Sequence, residues 1–142
     1  MRQAFAICCL AMIGCGEVPK DAPTAPLLPF SGIVNVNGKA AKGASVALHP
    51  EAGSSLGVVT PHGTADENGM FLLTTYTHAD GVPEGKYKVT VSWSDVITPG
   101  TSEPEYGPEK LPRRYQNKDS SGLEIEVRPD MSEATILELK SR

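Results

Sequence analysis

Beyond position 15 the chain has no cysteine: Cys8, Cys9 and Cys15 are the only three. The remainder therefore has no disulfide framework, thiolate metal ligand or catalytic thiol to draw on. A cationic excess is also missing. With 13 Lys and Arg against 17 Asp and Glu, and a formal charge of −4, nucleic acid is a poor partner. No apolar run nears the roughly 18 residues a membrane-spanning helix requires. After the first fifteen residues sustained helical spacing is lacking too, and 14 Gly with 12 Pro punctuate the sequence too often for long helices. Coiled coils, channels and multidomain enzymes are poor readings, and 142 residues make room for one domain of ordinary size.

What is present begins with an address. Met1-Arg2-Gln3 is a short cationic opening, and Ala4 to Ile13 (AFAICCLAMI) is a ten-residue uncharged, mostly apolar stretch, the length of a signal h-region. Met12-Ile13-Gly14-Cys15 places a large apolar residue at −3, a small one at −1 and cysteine at +1. This segment resembles bacterial lipoprotein signal peptides. The resemblance implies that residues 1–14 are removed, that the Cys15 sulfur carries a diacyl group, and that the new amino terminus is acylated. It also favours the outer membrane, because Gly16 stands where Asp retains many such proteins at the inner one. Several acyl chains, at about 0.8 kcal/mol per buried methylene, make anchoring effectively permanent. Val18 to Pro29 then carries prolines at 19, 23, 26 and 29, and is expected to run extended as a tether from residue 15 to 29.

From residue 30 the apolar period becomes two. Phe30, Val34 and Val36 oppose Ser31, Asn35 and Asn37, and Asn37-Gly38 signals a hairpin turn. Ala44, Val46 and Leu48 form the next alternating run. Leu56–Asp66 is a weaker one, broken by Pro61 and Gly63. Asp66-Glu67-Asn68-Gly69 is a turn and Met70–Tyr76 the strand leaving it. Tyr87, Val89, Val91 and Trp93 alternate with Lys86, Lys88, Thr90 and Ser92 in the clearest run. Leu123, Ile125 and Val127, then Thr135, Leu137 and Leu139, complete seven short strands in residues 30–142. Seven half-apolar strands predict an all-β domain of two sheets packed face to face, since a single sheet leaves one apolar face wet.

Three segments resemble the carboxypeptidase-regulatory-like domain, a transthyretin-like β-sandwich. They are Ser31-Gly32-Ile33-Val34 with Asn37-Gly38-Lys39 and Gly43-Ala44-Ser45-Val46-Ala47-Leu48; Thr64-Ala65-Asp66-Glu67-Asn68-Gly69-Met70-Phe71; and Val82-Pro83-Glu84-Gly85-Lys86-Tyr87-Lys88-Val89-Thr90-Val91. The resemblance implies a seven-stranded antiparallel Greek-key sandwich acting as a structural or binding module without catalysis. Together with the lipoprotein-like leader, this leads to the expectation of a membrane-held envelope protein that meets an envelope protein or glycan partner.

No residue is given a catalytic role, and no metal or cofactor is expected. Relatives that hydrolyse 5-hydroxyisourate resemble one another in a C-terminal Tyr-Arg-Gly-Ser, whereas this sequence reads Leu139-Lys140-Ser141-Arg142. His49, His62 and His78 have no spacing that preorganises a metal site. The Asp66–Gly69 turn lacks the remaining oxygen ligands of a calcium loop. A Lys–Asn isopeptide crosslink between first and last strands is excluded, because Phe30–Val36 has no Lys and Thr135–Leu139 no Asn. The long segment Asp95–Gly122 leaves two readings open. In one, Trp93, Tyr106, Arg113, Arg114 and Tyr115 form a polar-aromatic patch for glycan, peptide or anionic polymer. In the other, Tyr106, Leu111 and Tyr115 clamp the loop to the core, with Arg and Glu as a solvated rim.

Overall fold

A computed structural model describes residues 26–51 and 59–141. The expected leader, Cys15 and the tether up to residue 25 lie outside the described residues, as do residues 52–58 of the Glu51–Val59 connection. The described elements are strands β1 (Leu27–Leu28), β2 (Ser31–Val36), β3 (Lys39–Ala40), β4 (Ser45–Pro50), β5 (His62–Thr64), β6 (Met70–Leu72), β7 (Val82–Pro83), β8 (Gly85–Ser92), β9 (Glu124–Val127) and β10 (Thr135–Leu139). A single 3-10 turn, Arg113–Gln116, lies between β8 and β9. Among the described residues no helix is long and apolar enough to cross a membrane.

The described residues are mostly β, with no α-helix among them, and their strands pair mostly antiparallel. In one sheet β2 lies between β10 on one side and β3 and β6 on the other. The second runs β5-β4-β8-β9. Alternation decides which residues turn inward: Val34 and Val36 from β2, Val46 and Leu48 from β4, Tyr87, Val89 and Val91 from β8, Ile125 and Val127 from β9, and Leu137 and Leu139 from β10. They join Phe71 and Leu73 in one apolar cluster to which both sheets contribute. Burying each such Val or Leu side chain contributes about 1.5–3 kcal/mol. Gly32 sits opposite Phe71 in the ladder, and a side chain there would overlap the Phe71 ring. Asn37 and Gly38 take φ of 52° and 78°, the positive values a two-residue hairpin turn demands, and β3 returns along β2.

Four features depart from the expected antiparallel set of seven. First, β10 pairs parallel with β2, matching Leu137 to Val34 and Leu139 to Val36. The connection from β9 leaves the second sheet for the first, so no hairpin obliges β10 to run against its neighbour. Second, two-residue strands add to the seven. β1 pairs with β7, which places a strand inside the expected tether; this pair stands apart from both larger sheets, where Pro26, Pro29 and Pro83 interrupt no central ladder. Third, the strand after the Asp66 turn ends at Leu72 rather than Tyr76. The Asp80 carboxylate takes the backbone N–H groups of Thr75, Tyr76 and Thr77, which removes those donors from a ladder. Fourth, the alternating run expected to include Trp93 stops at Ser92, where Glu109 captures the next backbone donor.

Candidate functional site

The connection between β8 and β9 is where side chains are assembled for something beyond core packing. Its base is built on Trp93. The Trp93 backbone N–H donates to Glu109 Oε1 at 2.8 Å, the Leu111 N–H to the same oxygen at 3.0 Å, and Ser92 Oγ to Glu109 Oε2 at 3.0 Å. The Lys110 ammonium pairs with Asp95 at 2.5 Å and lies 4.5 Å from the Trp93 ring centroid. Trp93 Nε1–H donates to the Lys42 carbonyl at 2.9 Å. Glu109 thus closes the two ends of residues 93–110 onto each other.

Above that base, residues 95–107 form a hairpin. The Ile97 N–H donates to the Glu105 carbonyl and the Gly107 N–H to the Asp95 carbonyl, both at 2.8 Å. These bonds bracket the Val96–Tyr106 bridge, a non-hydrogen-bonded pair of the kind whose side chains stand closest on one face. At the tip Thr98 Oγ1 accepts the Glu105 N–H at 2.8 Å. Val96, Ile97 and Tyr106 remain 48%, 59% and 64% exposed.

Residues 108–122 do the opposite. Leu111 and Tyr115 are buried in the core, and Ser121 is also buried. Tyr115 Oη accepts from Arg114 Nη2 at 2.8 Å and from the Lys140 N–H at 3.3 Å, tying the 3-10 turn to the end of β10. The Arg114 guanidinium also lies 4.7 Å from the Tyr115 ring. Arg113 is exposed, with no hydrogen bond or ion pair among the described residues.

The two sequence readings therefore divide the segment. Leu111 and Tyr115 act as the clamp. Tyr106, grouped with them as a clamp, instead stands in solvent. Of the proposed patch, Arg114 and Tyr115 touch each other, while no hydrogen bond, ion pair or ring contact joins Tyr106 to Trp93, Arg113, Arg114 or Tyr115 among the described residues. Sequence reasoning missed Glu109, read only as a rim charge, and Val96 and Ile97, whose exposure follows from the hairpin register. A signal was available: Val96-Ile97 and Tyr106 flank Pro99-Gly100, a turn pair between apolar side chains.

The histidines are dispersed. His49 lies within β4, half-buried, its Nε2 2.9 Å from Thr90 Oγ1; burial first, and then the Lys118 charge, hold its pKa below the ordinary imidazole value. It lines a surface cleft of about 370 Å³ with Lys88, Lys118 and Asp119. His62 and His78 line another of about 380 Å³ with Asp66, Met70 and Leu72. Among the described residues no three His, Cys, Asp or Glu side chains are grouped to hold a metal ion. Comparison of the chain with protein-family models, with curated proteins and with solved structures gives no match.

Proposed function

We propose that this chain is a non-enzymatic, lipid-anchored protein of the cell envelope that presents a transthyretin-like Greek-key β-sandwich to a partner. The observation that carries the presenting role is the 95–107 hairpin: an ordered projection whose apolar side chains face solvent, fixed to the domain through Glu109 and Trp93. Anchoring is supported by the apolar run and Met12-Ile13-Gly14-Cys15, and the sandwich by two sheets that fill one core. A thiolate at Cys15 is the nucleophile that would take up the lipid. Residues beyond it then act mechanically, as spacer and rigid platform.

A second reading, a peptide- or glycan-binding protein, is favoured by Tyr106, an exposed aromatic ring paired with Val96. The two readings share the hairpin and differ in whether contact with the ligand is the protein's purpose or its attachment. Cys15→Ser tests the anchor. The variant is expected to leave the membrane fraction and to lose labelling by a fatty-acid probe; retention of both would refute the placement.

A further inference from the structure

Resting on the reading that the hairpin is what the domain presents, we infer that residues 95–107 dock into a separate protein whose groove is apolar at its floor and lined by Lys or Arg at its rim. Seven large apolar residues are exposed among the described residues, and three of them, Val96, Ile97 and Tyr106, lie on this one hairpin. Val96 and Tyr106 pair on one face of the hairpin and Ile97 turns to the other, so both faces offer exposed apolar side chains; single exposed apolar residues are ordinary on a protein surface, whereas several on one charged hairpin mark an interaction site.

The charge is of one sign. Residues 95–107 contain Asp95, Glu103 and Glu105 and no Lys, Arg or His. Asp95 is engaged by Lys110, which neutralises that cation of the base. The Glu103 and Glu105 carboxylates make no hydrogen bond or ion pair among the described residues. Two carboxylates on the hairpin that carries Val96, Ile97 and Tyr106 repel polyanions and anionic headgroups within a screening length of about 8–10 Å. They complement a basic rim. A second copy of the chain, with its formal charge of −4, is a poorer match. The backbone bonds at 95–107 and the Thr98 tie at the tip hold the hairpin in shape before contact, so little ordering is required on binding. The outward face of the first sheet also exposes Met70, Leu72 and Ile136, but nothing there indicates what covers it.

The test is photo-crosslinking in the source cells with the full chain, carrying benzoylphenylalanine at position 106 and, in parallel chains, at positions 113 and 136. The expected result is one protein adduct from position 106, lowered about tenfold by Glu103→Lys with Glu105→Lys at unchanged melting temperature. An adduct with lipid, glycan or another copy of this chain would overturn the inference, as would a protein adduct that charge reversal leaves intact. Adducts from 113 or 136 with none from 106 also overturn it, yet leave a presenting role standing. Silence at all three positions removes that role as well.

Discussion

Asp80 organises more backbone than any other side chain of the described residues. Its two carboxylate oxygens accept the N–H groups of Thr75, Tyr76 and Thr77 at 2.7–2.9 Å. Burial alone would raise its pKa, but those three donors and the Thr77 hydroxyl together bring it below the usual carboxylate value. A depressed folded-state pKa contributes stability above the unfolded value of roughly 3.9 and loses it as pH falls through the folded one. Asp80→Asn is therefore expected to cost about 1–3 kcal/mol at neutral pH, with the deficit shrinking below about pH 4, as urea titrations across that range would show. Tyr87 works at the other end of the scale. Burial, and secondarily Tyr76, push its pKa up to about 12 while its hydroxyl donates to the Pro83 carbonyl at 2.8 Å. A raised folded-state pKa contributes stability below the unfolded value of about 10 that is lost as pH rises to the folded one. Tyr87→Phe should thus flatten the alkaline decline of the melting temperature between pH 10 and 12. Gly32→Ala adds a methyl where the Phe71 ring already lies; about 1–3 kcal/mol of lost stability is expected from overpacking, read by chemical denaturation.

Among the elements, the β8–β9 connection divides in two at Pro108, and mutation should reveal the division. Leu111 is fully buried, so Leu111→Ala should cost about 2–5 kcal/mol. Replacing residues 96–106 by a short glycine turn removes side chains that take no part in the core, and should leave the melting temperature within a few degrees. Equal destabilisation by both changes would contradict the division. The strand elements themselves were legible because period-two alternation is written directly in the side chains: Val46 and Leu48, Val89 and Val91, and Leu137 and Leu139 are all buried as the pattern expects. The two-residue strands β1, β3 and β7 are too short to show any period. The role of Glu109 was illegible for another reason. A carboxylate that accepts backbone N–H groups sixteen residues back and two residues on leaves no local pattern, and it is defined only by how the chain folds back.

For the whole molecule, the inward residues of two sheets make one core, and this was the readable consequence of seven alternating strands. Strand direction was not: β2 and β10 lie side by side and parallel, a relation between residues about a hundred positions apart that composition and turns do not encode. The same adjacency explains the hydrogen bond from Asn35 to Glu138 at 2.8 Å across the outer face. It also sets the inward Val34 and Val36 against Leu137 and Leu139, apolar where a Lys–Asn crosslink would need its reacting groups. At this scale the candidate site is a hairpin on the two-sheet domain, and our proposal is that lipid on Cys15 holds that domain at the envelope. The intact mass of the protein extracted from membranes tests that claim most directly. A chain beginning at Cys15 and carrying the added mass of its acyl groups is predicted; a chain that retains residues 1–14, or an unmodified Cys15, would contradict it.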